Sequence, residues 1–390
     1  MKKIILVGGG GIIGILAVAI GVFVLTSPDL GQMPPEAVDS GAVGTDTDPS
    51  AETTTSTATP EPTPSAPTEI ASATLLEAQD PPGDWTRDFP EADFTIASVD
   101  FGSILSGGPP RDGIPAIDTP SFGTVSDGAK FLADTEPVIT LAHGGEAKAY
   151  PLSILMYHEI VNDEIGGTPV AVTFCPLCNS TVVFVAEMDG QILDFGTTGR
   201  LRYSDLIMYD RQTETWWQQF VGEGIIGTHT GKKLAMLPSR VEAFSVFRDR
   251  FPDGKVMLVP TEFQRNYGIN PYYEYDQANR DPADRIRPFL FFGKVPDDIA
   301  PLAYVIAVGD RAWSLDLLRG QGRLETDDGL IIEWTPGQNA ALDQSRISEG
   351  HDIGNVTVQR MQNGALVDVV HDVSFAFAFN AFHPDGEIVQ

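Results

Sequence analysis

The chain has 390 residues, with 54 acidic against 25 basic side chains and a formal net charge of −29. Hydrophobic residues make up 42% and charged residues 20%, which excludes a wholly disordered chain, a multi-span membrane protein and a fibrous repeat. So negative a surface repels phosphate, arguing against nucleic acid and against docking flat on anionic lipid, and two cysteines cannot staple a disulfide scaffold.

Lys2 and Lys3 precede Ile4–Leu25, a run with no charged residue. As a helix it would be about 33 Å long, enough to cross a bilayer. Residues 1–26 are therefore read as an N-terminal membrane anchor, with the lysines in the cytoplasm and the rest of the chain outside. The alternative is a signal peptide, cleaved to leave a secreted protein. Its apolar stretch is usually about 7–15 residues and ends in a small-x-small site, which this run lacks. Residues 27–75 are rich in Thr, Pro, Ser, Ala and acids and contain no Lys or Arg. This composition predicts a disordered linker holding the folded part away from the membrane.

Beyond it, short apolar runs broken by Gly, Pro, Asn and Asp predict a β-rich fold. Val138–Ala142 and Ala147–Tyr150 flank His143-Gly144-Gly145, as in a hairpin. Pro151 opens a short amphipathic helix to Glu159. Val170–Phe174 is a nearly continuous apolar strand, expected to be buried on both faces. Further strands are expected near Thr181–Val185, Ile192–Phe195, Leu206–Tyr209 and Trp216–Phe220. The stretch Val305–Leu318 then echoes Val138–Leu155, and Phe379–Ile388 echoes Phe247–Val256. The expectation is an α+β, β-rich fold of two internally related β units with short helices. The first, 76–300, carries Cys175-Pro-Leu-Cys178; the second, 301–390, is shorter and has Thr335-Pro-Gly-Gln338 instead.

The strings AYPLSILMYHEIVNDEIGGTPVAVTFCPLCNSTVVF and FGTTGRLRYSDLIMYDRQTETWWQQFVGEGIIG are distinctive. With GGPPRDGIPAIDTPSF and the closing AFHPDG, they resemble a bacterial and archaeal family known as domain of unknown function 3179. The resemblance runs from about Ser103 to the C-terminus. It brings no established activity. It implies that His158, Cys175, Cys178 and the MYDRQT hairpin belong to a shared pattern. Phe251 stands where that pattern leads one to expect a histidine before Pro-Asp-Gly.

Cys175 and Cys178 have three readings. A tight turn carrying two thiolates is half of a zinc-ribbon site, and a soft or imidazole ligand added to it suits copper or zinc. The other ligands would come from His158, His143, His229, Met208 or a carboxylate. The pair could instead cycle between dithiol and disulfide. That would be outside a thioredoxin fold, because a strand rather than a helix is expected after Cys178. A permanent disulfide across so short a loop would stabilise little. His158, at the helix end, either meets the terminal carbonyls or reaches the thiols. Arg202, Asp205, Tyr209 and Asp210 are supporting candidates, forming a buried charge network or an anion site. The aromatic loop Tyr267–Asp276 either covers a pocket or packs on the surface. Nucleotide-cradle, zincin, nucleophile-elbow and haem-attachment motifs are missing. The sequence thus leads to a membrane-tethered extracytoplasmic domain binding copper or zinc through its CxxC, with a redox or metal-delivery protein as partner. A non-thioredoxin thiol oxidoreductase and a structural or interaction domain are the alternatives.

Overall fold

The computed structural model describes residues 74–276 and 287–390. The expected anchor, and the linker up to residue 73, lie outside the described residues. Among the described residues no helix is long and apolar enough to cross a membrane.

Alternating apolar runs fold into five sheets of four or five strands, arranged as the blades of a five-bladed propeller. Blade one orders Arg240–Ala243, Pro137–His143, Glu146–Pro151, Lys255–Met257 and Phe122–Thr124. Blade two orders Met236–Leu237, Ser180–Val185, Thr168–Cys175 and Ile160–Ile165. Blade three orders Ile104–Ser106, Phe195–Arg202, Asp205–Asp210, Trp216–Gln218 and Glu223–Ile226. Blade four orders Asp372–Phe375, Tyr304–Val308, Arg311–Ser314 and Glu387–Val389. Blade five orders Arg323–Glu325, Leu330–Thr335, Asn355–Gln362 and Ala365–Asp368.

This corrects the expected α+β fold of two β units. The helices, such as Leu152–Leu155, Phe244–Arg250 and Ala376–Phe382, have four to seven residues and cannot form a layer. Three of the sheets lie within residues 76–300 and two within 301–390, but the two segments are bonded to each other. Strand Asp372–Phe375 of blade four is joined to blade two by side-chain bonds, and Arg240 of blade one pairs with Asp368 of blade five. Hydrophobic periodicity identifies strands, but partners are chosen by packing that the local pattern does not encode.

Two tight turns set the hairpins of blades one and two. Gly144-Gly145 and Gly166-Gly167 all have positive φ, the geometry that a two-residue hairpin turn requires. The turn tips press together: a Cβ on Gly144 would lie 2.5 Å from the Gly166 Cα. The expected helix from Pro151 ends early, at Leu155, and a turn carries the chain to Glu159 at φ 58°. Val170 to Phe174 are fully buried, as an unbroken apolar strand demands. Trp216 and Trp217 face opposite ways, and both are core. Trp216 stacks among Trp85, Phe89 and Phe94, which wrap blade three, whereas Trp217 meets Phe195 in the main core.

Candidate metal centre

Cys175 ends its strand, and Pro176-Leu177 turns the chain back. The Cys178 amide donates to the Cys175 carbonyl at 3.2 Å, and the Asn179 amide to that of Pro176 at 3.2 Å. Asn179 sits at φ 51°, a conformation asparagine tolerates, and the next strand starts with Ser180 opposite Cys175. The two cysteines lie 4.0 Å apart as free thiols. They are 2% and 0% exposed, so the site is sealed from bulk water.

Blade four clamps this turn. Phe375 donates its amide to the Cys178 carbonyl at 2.9 Å, and Asn179 Nδ2 donates to the Val373 carbonyl at 2.9 Å. Asp372 accepts from Ser180 Oγ at 2.7 Å and from the Thr181 amide at 2.9 Å. Burial raises the Asp372 carboxyl to about 7 despite those donors.

The third member is Asp205. It follows the two-residue turn Tyr203-Ser204, both at positive φ (55° and 67°), between strands paired Arg202 to Asp205. Glycine or asparagine normally occupies such a turn. Here Ser204 is held on both sides. Its Oγ donates to the Phe289 carbonyl at 2.6 Å, and its own carbonyl accepts from the Cys175 thiol at 3.7 Å. The turn delivers Asp205 to the cysteines, so that one ligand atom from each of Cys175, Cys178 and Asp205 lies within 4.8 Å of the others. Asp205 Oδ2 accepts from Gln218 Nε2 at 2.6 Å and from the Phe220 amide at 3.0 Å. Its Oδ1 is buried and has no hydrogen-bond partner.

Burial dominates the electrostatics. It raises Asp205 to about 7, against the lowering effect of Gln218 and Phe220. It also raises both thiols, with Asp205 adding to the rise at each. Glu159 rises to about 8, through burial and then the nearby Asp205 charge. At neutral pH the thiols and Glu159 therefore hold their protons and Asp205 is about half protonated. Metal binding to thiol and carboxyl groups displaces such protons. Two sulfurs and a carboxylate oxygen can hold a metal ion.

The other sequence candidates are spread out. His158 is fully buried, with Nδ1 2.7 Å from the Pro115 carbonyl and Nε2 2.7 Å from the Tyr267 hydroxyl. Desolvation lowers its pKa, so it is a neutral bridge between two segments. Arg202 stands opposite Asp205 in the hairpin, its guanidinium 4.4 Å over the Tyr203 ring and its Nε 3.3 Å from Ser103 Oγ. Tyr209 and Asp210 serve elsewhere: Tyr209 donates to Asp112 and accepts from Arg111, while Asp210 closes the turn to Thr213 and accepts from Trp217 Nε1. The aromatic loop does cover the site. Tyr275 donates to the Leu177 carbonyl between the two cysteines at 3.0 Å, and Tyr272 is coupled electrostatically to Glu159 and Cys175. Sequence reasoning passed over Glu159 as a turn residue and did not single out Asp372. Their adjacency to the CxxC arises from strand pairing and blade packing, which leave no local signal.

No curated protein and no solved structure matches the chain. A family model described as "Protein of unknown function (DUF3179)" matches residues 111–386, most of the described chain. The protein therefore belongs to the DUF3179 family.

Proposed function

We propose that this domain is a metal-binding module whose centre is Cys175, Cys178 and Asp205, and that zinc is its ion. The observation that carries the reading is the buried, unpartnered Oδ1 of Asp205 in a group with two free thiols. Leaving such an oxygen without a partner costs about 1–3 kcal/mol, which a cation would offset. The carboxylate decides between the two metals expected from sequence. Cu(I) favours purely soft donors, whereas zinc takes thiolate and carboxylate together. The charge-free run Ile4–Leu25 supports a tether that places the domain outside the cytoplasm, with metal exchanged through a protein partner.

Thiol–disulfide exchange is the second reading, favoured by the 4.0 Å separation of the cysteines. Against it stands their burial, which raises both thiols and leaves little thiolate to attack. The test is elemental mass spectrometry of the full-length protein, extracted in mild detergent without chelator. The expected result is about one zinc per chain, lost in Cys175→Ser and in Asp205→Asn. A chain that holds neither zinc nor copper after loading with both refutes the metal reading.

A further inference from the structure

Glu159 lies close to this centre, and its backbone is unusual. It is one of few non-glycine residues at positive φ, 58°, a conformation costing about 1 kcal/mol or more. The surrounding structure enforces it. The Glu159 amide donates to the Leu155 carbonyl at 2.7 Å, and its carbonyl accepts from the Phe174 amide at 2.8 Å, one residue before Cys175. The left-handed residue interrupts the regular alternation of side chains where the chain enters Ile160–Ile165. Its side chain is electrostatically coupled to Asp205 and to Cys175.

That side chain has no hydrogen-bond partner in the described protein. Glu159 is 8% exposed, between His158 and Ile160, which are fully buried. Its carboxyl makes no hydrogen bond among the described residues, and burial and the Asp205 charge both act against its ionisation. A largely buried carboxyl with no protein donor, on a left-handed backbone bonded to the strand that carries Cys175, is a cost in the metal-free fold.

Given the metal reading, we propose that Glu159 is the fourth protein ligand. The centre is then a closed set of two cysteines, one aspartate and one glutamate. Two thiolates and Asp205 form the preset part. Glu159 is not part of that 4.8 Å group, so its side chain must rotate toward the ion to bind it. Four protein ligands and no solvent position make a structural rather than a hydrolytic zinc site, in keeping with cysteines that are 2% and 0% exposed. Two hard oxygens also set the selectivity: the site takes divalent zinc, cobalt or iron and rejects Cu(I).

Cobalt(II) loaded into the full-length protein reports both parts separately. Its thiolate charge-transfer band counts the cysteines, and the intensity of its ligand-field band reports four-coordination. In Glu159→Gln the thiolate band should persist while the ligand-field band weakens, and zinc affinity should fall about 10–100-fold. Glu159→Asn tolerates the left-handed backbone and should behave alike, which guards against misfolding of the first variant. In chelator, both should melt at or above the wild-type temperature, whereas a purely structural Glu159 would make them melt lower. Wild-type cobalt spectra and zinc affinity in both variants, with both lost in Cys175→Ser, would overturn the assignment of Glu159 and leave the centre standing. A wild-type protein with no thiolate–cobalt band would overturn the centre itself.

Discussion

The metal-free protein should lose stability as the pH rises from about 6.5 to about 8. Three buried carboxyls control that window: Asp205 and Asp372 at about 7, and Glu159 at about 8. Below about pH 4 the folded and unfolded chains both hold these protons. Above it the unfolded chain gives them up while the folded chain keeps them. Each further pH unit then favours unfolding by up to about 1.4 kcal/mol per group, until the folded pKa is passed. Integrated over the window, Glu159 contributes about 1.6 kcal/mol and the two aspartates about 0.8 kcal/mol each, roughly 3 kcal/mol together. The histidines with lowered pKa values, His158, His229, His371 and His383, act with the opposite sign. In the unfolded chain these imidazoles titrate near pH 6.5, so their opposing effect is only half complete there and offsets part of the carboxyl loss up to about pH 7.5. Asp343 and Asp368, whose pKa values are lowered, lose their contribution only in acid. Urea unfolding in chelator at several pH values measures the slope. Asp205→Asn should reduce the loss by about 0.8 kcal/mol. Zinc should reverse the trend, because it binds the deprotonated ligands and stabilises more as the pH rises. Metal-free stability that is flat or increasing across the window would show that these carboxyls are not held neutral, and the electrostatic reasoning would fail.

Other expectations concern the scaffold. Asp372→Ala removes the acceptor for Ser180 and Thr181 at the joint of blades two and four, and should cost about 2–4 kcal/mol in urea unfolding; a loss under about 1 kcal/mol would show that the joint is held by other contacts. Gly144→Ala should destabilise more than Gly145→Ala by at least about 1 kcal/mol in thermal melts. Both glycines have positive φ, but only a Cβ on Gly144 meets the Gly166 backbone. Equal losses would mean that the two turn tips separate freely. His158→Ala should lower stability by about 1–3 kcal/mol, through the contacts to Pro115 and Tyr267, while leaving the zinc content unchanged. Zinc lost from a folded His158→Ala protein would place that imidazole on the ion.

Local chemistry was legible in the sequence; long-range company was not. Cys175 and Cys178 stand out because they are the only cysteines and share one turn. The Gly-Gly hairpins and the buried run Val170–Phe174 follow from turn chemistry and alternation. Asp205 was grouped with Tyr209 and Asp210 because they are neighbours in sequence. In the fold it leaves them, since the turn before it uses Tyr203 and Ser204 at positive φ with no glycine to mark it. His158 is near the CxxC in sequence, yet both its ring nitrogens are taken up by Pro115 and Tyr267. Five sheets could not be counted from strands alone. Four of the five strands of blade three are inserted between Ser180–Val185 and Met236–Leu237, which pair as neighbours in blade two.

The clasp on the cysteine turn has a consequence in time. Ser180 and the aspartate that holds it are 192 residues apart, so the turn cannot be completed until nearly the whole chain is available. Contacts of such long loop length form late, because their closure entropy is met before any packing compensates it. A chain emerging from its N-terminus therefore carries two accessible thiols through about the second half of its synthesis. They are sealed only when the last blade docks. On the metal reading, ion capture would be easier before that moment than after it, and the ion bound would be the one available where the C-terminus folds.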